Sequence, residues 1–236
     1  MKKLILAFFA SLLIFVSCSA RIDGVVLEGG AAEFRFSTAL KPRTTAIIRS
    51  LQAFTGAPAN APLLDGTAIA QSMADAPGLS SISIRNTAPA ALEGTVSVSN
   101  IGDFLAETGA EGRFITFTEG RTPGSSSIII TLDRYSAPAI ISRLSPEVVQ
   151  YLSALMAPAA LGEASTRQEY LNLLAMVYGR QMADEVAAGR IVASIEFPRP
   201  VTEVRGGHPV GRRAEFSIPL LDILVLEQPL RYEVRW

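Results

Sequence analysis

The residue types that could perform acid–base or metal chemistry are sparse in this sequence. Its single histidine, His208, stands in the stretch Gly-Gly-His-Pro-Val-Gly, whose glycines and proline are typical of a turn. A Ser-His-acid triad and a histidine metal site both need a firmly held imidazole. The sequence also lacks the Gly-x-Ser-x-Gly nucleophile elbow and the His-Glu-x-x-His zinc motif. We therefore expect His208 to be a solvent-exposed turn residue, and we predict no catalytic residue, no metal and no cofactor.

Pairs of carboxylates are the other source of acid–base catalysis. In glycosidases two of them face each other across a sugar. The candidates by residue type alone are Asp65, Asp75, Asp103, Asp133 and Asp222. No spacing pairs any two of these, and Asp65 and Asp103 each adjoin a glycine, where an aspartate commonly serves a turn or a helix cap. The pattern predicts that the protein is not an enzyme, with a hydrolase that uses acidic residues only as the alternative.

The stretch Gly-Arg-Thr-Pro-Gly-Ser-Ser-Ser at residues 120–127 has the composition of a phosphate-binding loop but not its chemistry. The Lys-Ser or Lys-Thr pair that neutralises the phosphates and holds the metal ion is missing. The sequence therefore predicts a polar connector between strands at this point.

The charge of the chain argues against a nucleic-acid partner. The chain contains 21 Lys plus Arg and 22 Asp plus Glu, and the arginines are scattered along it. A nucleic-acid-binding domain shows a basic patch or stripe instead. With 49% hydrophobic and 18% charged residues, the composition is that of a folded protein with a sizeable core.

The N-terminus has the order of features that an export signal requires. Lys2 and Lys3 precede an almost unbroken apolar run from Leu4 to Val16, and small residues follow. The run is shorter than the roughly 20 residues needed to span a bilayer. A charged start, a short apolar region and a small-residue exit define a secretory signal peptide.

The only cysteine of the chain stands at the end of this signal. The tetrapeptide Phe15-Val16-Ser17-Cys18 resembles the lipobox of bacterial lipoproteins. Phe15 stands where most lipoboxes have Leu, a departure similar to the relaxed lipoboxes of spirochaetes. The resemblance implies that signal peptidase II cleaves before Cys18, whose sulfur then carries diacylglycerol and whose amino group is acylated, with palmitate as a typical chain.

Two ways of processing the N-terminus remain open. Cleavage before Cys18 makes residues 1–17 the signal peptide and residues 18–236 a single exported domain, whereas ordinary cleavage after Ala20 would release a soluble protein without cysteine. The cysteine count favours the first, because an exported domain stapled by disulfides would carry an even set.

The hydrophobic periodicity of residues 18–236 predicts an α+β fold with antiparallel sheets. Period-2 runs around Gly29 and Gly30 predict a first hairpin, and residues 80–133 predict a meander of about four strands. Residues 165–190 predict one long helix with a capping box at Ser165 and Gln168, and Tyr170, Leu174 and Val177 on its buried face. We expect two or three shorter helices on the same side as the long one, and antiparallel strands at the end of the chain.

The last fifth of the chain resembles the LppM-like actinobacterial lipoproteins, in a strand that runs into a proline, a valine and a glycine before two more strands. These patterns together predict a lipoprotein of the bacterial cell envelope, facing the periplasm or the cell surface. It would be held to the membrane by lipid on Cys18 and act as a binding or assembly module for a lipid, another apolar ligand or an envelope protein. An apolar pocket between the long helix and the sheet would favour this function, whereas two carboxylates about 5 to 9 Å apart in a cleft would favour the hydrolase.

Overall fold

The computed structural model describes residues 18–54, 62–74, 78–108, 114–122, 124–141, 149 and 152–236. The predicted signal peptide, residues 1–17, lies outside the described residues, as does Asp75. Within the described part of the chain, no helix combines the length and the apolar character needed to cross a bilayer.

The strands form two sheets. In chain order they are β1 (Cys18–Val26), β2 (Ala32–Leu40), β3 (Leu79–Ala88), β4 (Ala91–Val98), β5 (Ile115–Glu119), β6 (Ser126–Leu132), β7 (Arg190–Glu196), β8 (Glu203–Arg205), β9 (Gly207–Val210), β10 (Arg213–Pro219) and β11 (Leu230–Arg235). One sheet has the order β3-β4-β2-β1-β7-β10-β9 and the other the order β5-β6-β11-β8. All neighbours pair antiparallel except β1 and β7, which run parallel.

Side-chain alternation explains why one face of the seven-stranded sheet is buried. On β1, Ala20, Ile22 and Val26 are buried, while Arg21 and Asp23 form an ion pair on the exposed face. Successive side chains of a strand point to opposite faces, so a period-2 pattern buries one face only. The hairpin predicted around Gly29 and Gly30 is confirmed as β1 and β2.

A bend at Gly206 joins the two sheets along one edge. Val204 of β8 pairs with Val234 of β11 in the four-stranded sheet, and Gly207 of β9 pairs with Phe216 of β10 in the seven-stranded sheet. Gly206 between them has a φ of +78°, which an L side chain rarely adopts. The sheets therefore face each other, like the walls of a sandwich in which a strand switches from one wall to the other.

The helices are more numerous than predicted. They are α1 (Pro42–Phe54), α2 (Gly66–Met73), α3 (Ile101–Thr108), α4 (Ala137–Ile141), α5 (Pro158–Leu161), α6 (Arg167–Tyr178), α7 (Arg180–Ala188) and α8 (Leu220–Val225). The α+β class is confirmed. The predicted four-stranded meander is wrong, because α3 separates β3 and β4 in one sheet from β5 and β6 in the other.

The predicted long helix is broken in two at Gly179. This residue has φ 90° and ψ 157°, so α6 ends there and α7 begins in a new direction. The carboxylate of Glu185 on α7 accepts hydrogen bonds from the backbone N–H groups of Arg43 and Thr44, at 3.0 and 3.1 Å, which docks α7 on the start of α1. The apolar spacing continues across the break, which is why the sequence pattern did not reveal it.

The start of α6 is also one residue away from the predicted cap. The capping box consists of Thr166 and Glu169, where Thr166 Oγ1 accepts from the Glu169 N–H and the Glu169 carboxylate accepts from the Thr166 N–H. Tyr170 and Leu174 are buried as predicted, whereas Val177 is half exposed. The core-facing side of α6 continues from Leu174 to Ala175 and Tyr178, so Val177 lies beside it.

Candidate functional site

An apolar cavity of about 200 Å³ lies between the two sheets. The seven-stranded sheet contributes Ile22, Val26, Phe34, Phe36, Ile191, Ala193, Ile195, Phe216 and Ile218. The four-stranded sheet contributes Ile128, Ile130, Leu132, Leu230, Tyr232 and Val234. The cavity therefore occupies the space in which the side chains of a sandwich ordinarily interdigitate.

The burial of the lining residues reflects this empty space. Phe34, Phe36, Ile128, Ile130 and Ile195 all project between the sheets, yet each is only partly buried. In a close-packed interior, side chains at such central positions would be fully enclosed by neighbours. The two sheets are thus held apart over the cavity rather than packed together.

Different groups lie at the two ends of the cavity. Near the beginning of β1, the buried side chains of Ile140 on α4 and Ile223 on α8 contribute to the lining. At the opposite end Phe197, directly after β7, lines the cavity and stacks on Trp236 with ring centroids 4.3 Å apart. Helices α4 and α8 contribute to one end of the cavity, and an aromatic pair lies at the other.

Tyr232 and Glu233 are the polar residues among those that line the cavity. The Tyr232 ring meets the Phe216 ring edge-on, with centroids 5.9 Å apart. Burial, and to a smaller degree the negative charge of Asp222, raises the pKa of the Tyr232 phenol, so the hydroxyl is neutral at physiological pH.

Glu233 presents its backbone rather than its carboxylate to the cavity. Its neighbours Tyr232 and Val234 face inward, and alternation turns the Glu233 side chain to the outer face. There the carboxylate accepts hydrogen bonds from Arg235, at 2.7 Å, and Arg231, at 2.9 Å, which lower its pKa. An ionised, doubly paired carboxylate on the far side of the sheet is no general acid for a ligand in the cavity.

Three of the predicted carboxylate candidates have local structural roles. Asp65 caps α2, with its Oδ1 accepting from the Ala68 N–H at 3.0 Å. Asp103 lies in the first turn of α3. Asp133 accepts from the N–H groups of Ser136 and Tyr135, and these bonds, chiefly the one from Ser136, lower its pKa. None of the three lines the cavity.

Asp222 joins α8 to α6. Its carboxylate forms an ion pair with Arg167 at 2.9 Å, and its side chain is 16% exposed. Burial raises its pKa, against the opposing effect of the Arg167 and Arg190 charges. Asp222 thus stabilises the start of α6 through its ion pair with Arg167. Among the described residues, no second candidate aspartate lies close enough to form a carboxylate pair with Asp222.

His208 lies in a strand and not in a turn. Residues 207–210 form β9, and His208 pairs with Glu215 of β10 at the edge of the seven-stranded sheet. The prediction of a turn is wrong, and the predicted exposure is confirmed. Among the described residues, no three His, Cys, Asp or Glu side chains come together as a metal site would require.

Cys18 is the first residue of β1 and pairs with Leu40 of β2. The described structure therefore begins within a central strand of the larger sheet. Acylation of Cys18 stays a prediction.

The sequence did not reveal the cavity at its actual location. The apolar pocket that would favour a binding function is expected between a long helix and the sheet, and the cavity instead lies between two sheets. The available signal was the placement of Gly24 and Gly94 inside strands, because glycine within a strand often marks a close approach of another group.

Comparison with known proteins finds little sequence similarity. No family model and no curated protein matches the chain. Comparison with solved structures returns the NMR structure of the folded domain of LppM from Mycobacterium tuberculosis, with 10% sequence identity over 93% of this chain and 88% of that one, and a TM-score of 0.42.

Proposed function

We propose that this protein is a lipid-anchored protein of the bacterial envelope that binds an apolar ligand between its two sheets. The observation that carries the proposal is the cavity of about 200 Å³ with an almost wholly apolar lining. Apolar cavities of about 150 Å³ in proteins stay free of water and take up small hydrocarbons. A hydrocarbon would gain burial in the cavity without requiring any polar group to lose its hydration.

The dimensions of the cavity suit an elongated aliphatic ligand. The lining residues Ile191 and Ile195 of β7, and Ile128 and Leu132 of β6, each span four strand positions. At about 3.3 Å per residue, the lining extends over about 13 Å along the strands. A segment of an alkyl chain fits such a shape better than a charged or strongly polar molecule does.

The position of Cys18 supports anchoring with the helical end of the domain toward the membrane. Because Cys18 pairs with Leu40, an acyl group on it would hold this end of β1 at the bilayer without an intervening linker. Lys41 follows Leu40, and Arg190 pairs with Ser19, so two cationic residues lie near the anchor point. Basic residues beside an anchor are attracted to anionic headgroups.

The proposal assigns no catalysis and no nucleic-acid partner to this protein. Glu233, the carboxylate residue of the lining, turns its side chain away from the cavity and is paired with two arginines. The partner we propose is therefore the membrane itself, together with an apolar ligand that the cavity accepts.

Isoleucine-methyl NMR of the full chain in lipid nanodiscs, titrated with decane, tests ligand binding. Decane should shift the methyl signals of Ile130 and Ile195, which line the cavity on opposite sheets.

Ala193→Phe should fill the cavity, weaken decane binding at least tenfold and leave the melting temperature unchanged or higher. Val192→Phe is the matched control, since Val192 lies on the exposed face of the same strand. Decane-induced shifts that persist unchanged in Ala193→Phe would place the binding elsewhere.

The anchor is tested separately by Cys18→Ala. The variant should accumulate at precursor size and take up no radiolabelled palmitate, because it lacks the sulfur that carries the lipid. Palmitate incorporation equal to that of the unaltered protein would refute acylation at Cys18.

A further inference from the structure

Aromatic rings that line the cavity lie against glycines of a neighbouring strand or, at Gly206, of the bend that follows one. The Phe34 ring covers the inner face of Gly24, where a Cβ atom would lie 2.7 Å from Phe34 Cδ1 and 2.9 Å from Phe34 Cε1. The Phe36 ring covers Gly94 in the same way, with a Cβ atom 2.8 Å from Phe36 Cε1. The Phe216 ring over Gly207 and the Tyr232 ring over Gly206 repeat the arrangement, each with a Cβ-to-Cδ1 distance of 2.6 Å.

With the rings in these positions there is no room for a Cβ atom, so any other residue would require a neighbouring group to shift. Glycine within a strand weakens the strand, since it has no side chain to pack and loses more conformational freedom on folding. Glycines opposite several cavity-lining rings nevertheless affect the width of the space between the sheets. Each ring occupies the space that a Cβ atom and its substituents would take, and so it lies close to the sheet instead of extending further between the sheets.

Gly24 and Phe34 are the pair in which this effect can be isolated. The atoms within 3 Å of a Cβ at Gly24 both belong to the Phe34 ring, and the next neighbour is Ile195 Cγ1 at 3.4 Å. At Gly94 and Gly207 a Cβ would also meet backbone oxygens, and Gly206 has a positive φ. An alanine at position 24 would therefore act chiefly by displacing one ring, away from β1 and toward the cavity that the ring lines.

We infer that Gly24 determines the depth of the cavity by letting the Phe34 ring lie against β1, and that this depth allows an alkyl chain to bind as the ligand. The binding of an alkyl chain depends on the proposed function, whereas the effect of Gly24 on the cavity does not. With Phe34 displaced, the space between β2 and the four-stranded sheet is reduced where an alkyl chain would pass. Gly24 is thus a positioning residue that need not contact the ligand.

Two probes of the full chain in nanodiscs test the inference, both read from the methyl signals of Ile130 and Ile195. Xenon at a few bar detects the empty space whatever the natural ligand is, and decane detects binding of an alkyl chain. Gly24→Ala should reduce the xenon-induced shift of Ile195 and weaken decane binding at least tenfold. The double variant Gly24→Ala/Phe34→Leu should restore both responses to within about threefold of the unaltered protein. Val25→Ala, on the exposed face of the same strand, should leave both unchanged.

The outcomes separate this inference from the proposed function. A xenon response without any decane response in the unaltered protein would refute the alkyl ligand, while the effect of Gly24→Ala on xenon still decides the role of Gly24. Unaltered xenon and decane responses in Gly24→Ala would overturn the inference. If Gly24→Ala fails to fold, the double variant provides the test. Recovery of the fold and of the xenon response would support displacement of the Phe34 ring, whereas continued failure to fold would overturn the inference.

Discussion

Trp236 stacks on Phe197 with ring centroids 4.3 Å apart and an angle of 29° between the ring planes. The backbone of Trp236 exchanges two hydrogen bonds with Ser126 at the start of β6, at 2.9 and 3.0 Å. The indole ring therefore connects the four-stranded sheet to the end of β7 in the seven-stranded sheet. This contact holds the two sheets together beside the cavity.

Trp236→Ala should lower the free energy of unfolding by about 3 to 5 kcal/mol, because it removes a large buried ring that its surroundings cannot replace. Trp236 is 6% exposed, whereas Tyr135, at 83% exposure, offers a control. Chemical denaturation of both variants gives the comparison, and Tyr135→Ala should stay within about 0.5 kcal/mol of the unaltered protein. Equal effects of the two substitutions would show that the stacking contributes nothing specific.

Two residues of α6 should respond very differently to truncation. Leu174 is 0% exposed and Val177 is 50% exposed, although only three positions separate them. Leu174→Ala should cost about 2 to 5 kcal/mol because it leaves a cavity in the core. Val177→Ala should change the stability by no more than about 0.5 kcal/mol. If urea midpoints show Val177→Ala to be the more damaging variant, α6 buries a different face.

Gly179→Ala should destabilise the protein through its backbone. With φ 90° and ψ 157°, Gly179 adopts a conformation that is nearly exclusive to glycine, and a side chain there costs about 1 to 3 kcal/mol. No atom lies within 4 Å of a Cβ at this position, so a steric clash would not explain the loss. Thermal unfolding of Gly179→Ala beside Asn172→Ala, an exposed substitution within α6, measures it. A more stable Gly179→Ala variant would favour one continuous helix.

Glu233 should make the stability depend on pH in the acidic range. Hydrogen bonds from Arg235 and Arg231 lower its pKa in the folded protein. Its contribution is therefore present above the unfolded-state pKa of about 4.3, and it is lost as the pH falls through the lower folded-state value. Glu233→Gln should be less stable than the unaltered protein at pH 7, and the difference should shrink below about pH 4.

Denaturation midpoints measured between pH 3 and pH 7 test this expectation. Glu163→Gln removes the same charge at an exposed position and controls for the change in net charge. A difference that stays constant over the whole pH range would mean that the ion pairs of Glu233 do not stabilise the fold.

Local patterns in the sequence determined much of the secondary structure. Pro42 begins α1 and Asp65 caps α2, as proline at a first turn and aspartate before a helix predict. The alternation in β1 and β2 predicted their hairpin. These features depend on interactions between residues close in the chain, so they can be recognised without knowing the tertiary structure.

Tertiary packing decided what the local patterns left open. The periodicity of residues 165–190 continues across Gly179, and only the docking of α7 on α1 shows why the chain must turn there. Likewise, β4 and β5 have similar local patterns, and only long-range pairing assigns them to different sheets.

The sequence by itself determined the α+β class and the helix and strand patterns, and it predicts the export signal and the acylation of Cys18. Only the tertiary structure decided that β2 and β6 face each other across a cavity. The physical reason is that a hydrophobic pattern specifies which side of a strand avoids water but not what fills the space opposite. Gly24 is an example: its role in shaping the cavity depends on the Phe34 ring, which the pairing of β1 with β2 brings against it.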